Sequence, residues 1–347
     1  MQLQFTREEL LQSHEYARPN VLGTKTMHGG FDKSGKYVPP RIKGRSKAIA
    51  NWTQALRERG GDLLAADSSL LSGSRCPNVE QQCLLIREGM SRVFWNTLTI
   101  TGKIEGRGRM LATMPLPDLQ SYIVEDISSM AIGHLDKGLM FAHGIDEGGE
   151  PEKQIGGHDV MWFVARDLAL GESAWPDVEP PERISRPDTG ERKMPQIAPE
   201  IEAFLAFLMN LLLIEFRAEN GFAATQQTLR AKGLFADRRE EAELAAEIVE
   251  RIREDEKIHV ESLCLYLGEL RELNLSTIAG GTVKGSTLID PYWSDLVSWA
   301  TGGQSLLAAR QVYEGILEQI KDMPGHDRVR QEFDALMDEG VLEAAIA

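Results

Sequence analysis

The stretch EDEKIHVESLCLYL, residues 254–267, holds the side chains best suited to chemistry. Val249, Ile252, Val260, Leu263, Leu267 and Leu270 recur at three- and four-residue steps and define one apolar face of a helix. Glu256 and His259 fall within that face, three residues apart, so their side chains emerge side by side. A carboxylate on a buried helix face is costly unless it is paired or holds a metal ion. The preceding helix repeats the theme. Phe204, Leu208, Leu211 and Leu212 set an apolar stripe that runs onto Glu215, with Glu219 one turn further as an extra ligand or a support. The plainer alternative pairs Glu215 with a buried arginine such as Arg253 and makes His259 an ordinary core histidine. Metal ligation is the favoured reading, because buried acids are rare without a partner.

These residues need long helices to position them. Helical patterning covers Asn78 to Met114, Asp118 to about His143, Glu200 to about Asn220 and Arg238 to Leu273, with a shorter helix at Asp159 to Leu170. Pro115 and Pro117 break the first from the second, and Gly221 is expected to end or kink the third. A proline-rich connector, Glu172 to Pro199, separates the helices into two pairs, the layout of a bundle with one long crossover. Residues 1–75 read as an irregular extension with a short helix near Ser46 to Arg59. Residues 276–347 read as a C-terminal extension with helices near Gln304 to Lys321 and His326 to Ala345. No convincing run of β-strands is visible. The expected class is all-α: a four-helix bundle over residues 76–275 with extensions at both ends.

If the site is symmetric, the first helix pair should mirror the second. Glu88 lies on a face with Leu84, Ser91, Trp95 and Leu98, and His134 on one with Ile127, Met130, Ala131, Gly138 and Phe141. Glu88 with His134 would then mirror Glu215 with His259. The counterpart of Glu256 is Ala131, which has no ligand atom. Glu125 or Asp126 could supply the missing oxygen, although Glu125 sits on a different stripe from His134. The site could instead hold one metal, or two with water or a substrate carboxylate in the gap. It could also be a bundle that has lost its metal.

With Glu215 followed by Glu256 and His259, and with Glu88 and His134 before them, the chain resembles the ferritin-like diiron-carboxylate superfamily over about residues 78–273. The resemblance implies a ferritin-like bundle with iron ligands Glu88, His134, Glu215, Glu256 and His259. It also implies two Fe ions, Mn being an alternative, and an oxygenase or oxidase that uses dioxygen on a small organic molecule, fed by a separate reductase. A homodimer is compatible with such a bundle. An iron- or peroxide-handling protein and a metal-free helical scaffold are the alternatives.

Composition narrows the field. The net charge of −15 argues against a general nucleic-acid binder. The longest apolar run, Phe204 to Ile214, is interrupted by Asn210 and too short for a bilayer. The first residues carry acidic and polar groups where a signal peptide needs a basic then apolar stretch. Cys76, Cys83 and Cys264 form no metal-knuckle pattern and read as reduced thiols, making the cytoplasm the expected compartment. GFDKSGKY, residues 30–37, lacks the hydroxyl residue and preceding strand of a phosphate loop. His143 and His158 flank a Gly-rich loop and read as solvent-exposed.

Overall fold

Runs of good helix formers with one apolar face become helices in the computed structural model, which describes residues 3–71, 75–187 and 189–337 and is mostly helical. Residues 338–345 of the expected last helix lie outside the described residues. The N-terminal region contains α1 (Arg7–Leu10), strands β1 (Arg18–Leu22), β2 (Lys25–Phe31) and β3 (Tyr37–Val38), and α2 (Ile42–Glu58). Then come α3 (Val79–Arg87), α4 (Ser91–Gly108), α5 (Leu139–Gly148), β4 (Ile155–Gly156) and α6 (His158–Leu170). Two long helices follow the connector, α7 (Pro199–Arg230) and α8 (Arg239–Glu272). A hairpin of β5 (Asn274–Ser276) and β6 (Thr282–Lys284) leads to α9 (Gly285–Thr301), α10 (Gly303–Lys321) and α11 (His326–Ala335).

Helices α4, α6, α7 and α8 form the bundle. Its core has one apolar cluster at the α7–α8 end that includes Leu205, Leu208, Leu212, Leu263 and Leu267. A second, around Trp162, Met161, Phe222, Val249 and Ile252, lies where α6 meets α7 and α8. Helix α7 continues through Gly221 without a break. A helical glycine costs roughly 1 kcal/mol relative to alanine, and Gly221 leaves the space in which the Arg75 guanidinium lies.

Three expectations from the sequence are corrected. The helix expected over Asn78 to Met114 is two helices, because Gly89 takes a left-handed conformation (φ +85°) between α3 and α4 and resets the helical phase. The helix expected from Asp118 to His143 is a chain of short 3-10 turns, at Leu119–Ser121 and Ala131–Lys137, and only α5 is α-helical there. The N-terminal region is less irregular than expected. β2 pairs antiparallel with β1 and β3 and parallel with β4, through Thr26 with Ile155 and Met27 with Gly156. That pairing ties the chain just before α6 to the N-terminal sheet.

Helix α5 is held against the end of α4 by glycines. A Cβ on Gly144 would stand 2.3 Å from the Ala112 backbone nitrogen, and one on Gly108 would stand 2.6 Å from Glu147 Cγ. Gly144→Ala is therefore expected to destabilise the protein by about 1–3 kcal/mol through overpacking. Gly106→Ala, whose Cβ would meet Asp159 Cβ at an ordinary 3.4 Å, is expected to be neutral or to stabilise by about 0.5–1 kcal/mol. Urea denaturation of both variants checks this, and equal stability of Gly144→Ala and wild type would show that the close approach is not needed.

Candidate metal centre

Five helices aim ionisable side chains at one point in the bundle core. Glu105 comes from α4, His143 and Glu147 from α5, His158 from the first residue of α6, Glu215 from α7, and Glu256 and His259 from α8. All seven are buried. The ligand atoms of Glu105, Glu147, His158 and Glu256 lie within 4.8 Å of one another, and so do those of His143, Glu147, Glu215 and His259. The two groups adjoin and share Glu147. Glu256 spans them as well, with Oε1 3.0 Å from His158 Nδ1 and Oε2 3.0 Å from His259 Nδ1. Glu147 Oε1 stands 3.5 Å and 3.1 Å from the same two imidazole nitrogens. The arrangement is nearly two-fold: two carboxylates in the middle, with a glutamate and a histidine on either side. His143 breaks the symmetry by stacking on His259, ring centroids 3.9 Å apart, with Nε2 2.9 Å from Glu215 Oε1.

The local folding explains how the first half is assembled. Asp146 and Glu147 end α5, Gly149 turns the chain with φ +66°, and the Glu150 and Ile155 backbones pair across a tight loop. His158 then re-enters the core at the start of α6, eleven positions after Glu147. In α8 one continuous helix delivers Asp255, Glu256 and His259.

A second ring of groups crosses between the halves. His158 Nε2 lies 3.3 Å from Asp255 Oδ2, and His259 Nε2 lies 3.3 Å from Asp146 Oδ2. Each aspartate stands on a helix of the half opposite to its histidine, Asp146 on α5 and Asp255 on α8, and each leaves Nδ1 of its imidazole facing the carboxylates. Such carboxylate–imidazole pairs fix ring orientation and tautomer at metal sites. Asp146 is held by Arg41 and by Arg45 Nη2 at 2.6 Å. Asp255 also meets His28 Nε2 and accepts from the Tyr37 hydroxyl, each at 2.9 Å. These partners account for the neighbouring group His28, His158 and Asp255, whose atoms also lie within metal-ligating distance.

Burying four glutamates together forces their charges apart. Burial, with the charges of Glu147 and Glu256 behind it, pushes Glu105 and Glu215 well above the usual carboxylate range. Against the same burial, His158 with its hydrogen bond and that of His259 hold Glu147 down at about 2. His158 and His259 hold Glu256 well below its usual range. Burial alone would lower both histidines, but the carboxylates raise them well above 6.5. His143 is lowered to about 3, by burial and by the neighbouring His259 charge. Protons thus do the balancing that a cation would do. Glu105 Oε2, Glu147 Oε1 and His158 Nδ1 are nevertheless buried in charge contact with one another, at 3.4 and 3.5 Å, without a well-aligned hydrogen bond. Buried ligand atoms converging on one point without well-aligned hydrogen bonds fit a metal ion, and the oxygen-rich set with imidazole nitrogen suits a hard or borderline divalent cation.

Of the residues singled out in the sequence, the fold brings Glu215, Glu256 and His259 together. Glu88 and His134 lie elsewhere. Glu88 follows α3 as its C-terminal cap and pairs with Arg328 Nη2 at 2.6 Å, because the Gly89 turn removes it from the stripe of Trp95 and Leu98. His134 sits in a 3-10 turn, accepts from the Phe5 backbone N–H at Nε2 and meets the Met130 carbonyl at Nδ1. It is a satisfied core histidine packed against Trp52. Ala131 and Ile132 donate their backbone N–H groups to Glu269 instead of facing a ligand gap. Glu125 bonds Asn274, Asp126 caps Ser128, and Glu219 pairs with Arg253. The reading of His143 and His158 as solvent-exposed is overturned: they are 4% and 0% exposed. The residues missed were Glu105, His143, Glu147 and His158. Two signals could have found them. The Asp-Glu pair at 146–147 recurs at 255–256, and the Glu105–Glu147 separation of 42 positions nearly equals the 41 from Glu215 to Glu256.

A cavity of about 720 Å³ reaches the cluster and is bordered by Glu105, Glu147 and Glu215. One wall is the α7 stripe of Ala203, Ala206, Phe207, Leu211, Ile214 and Ala218, and the other is the connector from Glu182 to Lys193. Asn210 interrupts the stripe, but its amide is committed to the Arg186 N–H and the Ala206 carbonyl. Compared with known proteins, the chain matches no family model, no curated protein and no solved structure. Among the described residues, no helix is long and apolar enough to cross a membrane.

Glu105, Glu215, His158 and His259 are all raised, so a divalent cation bound by these groups would displace protons from them. Uptake is therefore expected to release protons and to weaken steeply as pH falls, because acid refills those same groups. Titrating metal-free protein with Co(II) in weakly buffered solution containing a pH indicator checks this. Binding without proton release would contradict the charge assignment.

Proposed function

We propose that this chain is a non-haem diiron oxidoreductase of the ferritin-like diiron-carboxylate type, an oxygenase or oxidase acting on a small apolar molecule. The observation that carries the reading is the pair of adjoining buried ligand groups that share Glu147 and Glu256 and border an apolar cavity. Glu105 and His158 would hold one ion, and Glu215 and His259 the other, with His143 beside it. Glu147 and Glu256 would serve both. Bound there, ferrous ions would supply the electrons for reducing dioxygen, a chemistry that carboxylate and imidazole ligands with open positions suit. Mn(II) fits the same donors. Two cations balance the charge of the four glutamates once these are ionised.

The chain's own residues prepare that chemistry. Asp146 and Asp255 hold the Nε2 protons of His259 and His158, so each imidazole offers Nδ1 to the metal side. Arg41 and Arg45 keep Asp146 well below its usual carboxylate range despite burial, so it stays an acceptor. The apolar α7 stripe would seat the substrate beside Glu215 and keep water from the reacting bond. Returning electrons after each cycle falls to a separate reductase.

Protein loaded anaerobically with Fe(II) and then exposed to dioxygen is expected to consume it in proportion to the bound iron. Glu147→Ala and Glu256→Ala, which remove the shared ligands, should lower that consumption at least tenfold. Iron-loaded wild type that leaves dioxygen untouched would overturn the oxidoreductase reading. Accumulation of iron far beyond the ligand set would point to storage instead.

A further inference from the structure

A second cavity, of about 330 Å³, lies among α3, α4, α7 and α10. Its lining includes no aspartate, glutamate or lysine and a single arginine, Arg75, in a chain whose net charge is −15. Among the described residues Arg75 has no ion-pair partner, and its Nε is buried without a hydrogen bond. Gln82, 6% exposed, leaves its Nε2 buried and unpartnered at the same cavity, and Asn96 leaves its Oδ1 so. Leaving a buried polar group unmet costs about 1–3 kcal/mol, and more for a charged one. Three such groups around one space therefore call for an occupant. Arg217 of α7 adds a second guanidinium, close enough to oppose protonation of Arg75, and burial lowers both. Among the described residues no carboxylate pairs with either of them. The rest of the wall is uncharged, combining apolar Phe94, Ile100, Val312 and Ile316 with the neutral polar Thr97, Thr225 and Gln319.

We propose that this cavity binds a small organic anion that carries a hydroxyl group. Arg75 and Gln82 Nε2 donate to the charged group, Asn96 Oδ1 accepts from the hydroxyl, and a short apolar part rests on Phe94 and Ile316. A guanidinium among uncharged walls disfavours cations, and a neutral molecule does not compensate the charge of Arg75. The volume sits at the small end of the range for ligand pockets, roughly 300–1,000 Å³, which limits the occupant to a few carbons. The site shares no residue with the carboxylate cluster. Asn96 lies nine residues before Glu105 on α4, about 13 Å along the helix.

The test is calorimetric titration of the full chain with 3-hydroxybutyrate and with glycerol 3-phosphate, which separates a carboxylate from a phosphate head. Butane-1,3-diol serves as the neutral control. Saturable binding of at least one anion, at least tenfold tighter than the diol, is expected. Arg75→Met should weaken that binding at least tenfold without lowering the Tm of the ligand-free protein, because it removes no ion pair. Gln82→Leu should weaken it as well. No saturable binding of either anion, equal binding of the diol, or undiminished binding to Arg75→Met would each overturn the proposal.

Discussion

Everything in this molecule is arranged around the burial of four glutamates and three imidazoles at one point. Placed in a helical core, each ionised carboxylate carries a desolvation penalty of several kcal/mol, and neighbouring like charges add to it. The chain's own groups meet this by dividing the glutamates into two that favour the protonated form, Glu105 and Glu215, and two that lean on charged histidines, Glu147 and Glu256. The compromise leaves ligand atoms at the centre without well-aligned hydrogen bonds. A cluster of this kind destabilises the fold that contains it, and such costs are retained at functional sites.

The surrounding structure follows from that constraint. Asp146 and Asp255 cross from one half to orient the histidine of the other, and each needs its own support. The N-terminal region provides it. Arg41, just before α2, and Arg45 within it reach Asp146, while His28 on β2 and Tyr37 on β3 reach Asp255. The parallel pairing of β4 with β2 fixes the approach to His158, and Gly108 and Gly144 let α5 lie close enough to α4 for Glu147 to meet Glu105. Residues that read as an extension in the sequence are thus the outer ring of the centre.

What was legible in the sequence was what a regular helix dictates. Glu215, Glu256 and His259 stand on unbroken apolar stripes of α7 and α8, so spacing alone put them on the buried face. The first half was not legible, because its glutamate and histidine are split between α5 and α6 by a loop that helical periodicity cannot follow. The stripe through Trp95 and Leu98 also leads away from Glu88. Carried forward it reaches Gly102 and Glu105, both buried, whereas backwards it crosses Gly89, where the helix ends. His134 illustrates the opposite error: it does lie on a buried surface, but backbone groups satisfy both its nitrogens.

The central claim is that this one cluster holds two metal ions side by side. X-ray absorption at the iron edge, on protein loaded with Fe(II) to saturation, tests it most directly. The account predicts two irons per chain, each in oxygen- and nitrogen-rich coordination, with an iron–iron scattering shell at roughly 3.5–4 Å. A single isolated iron, or iron removed by washing without loss of structure, would contradict it.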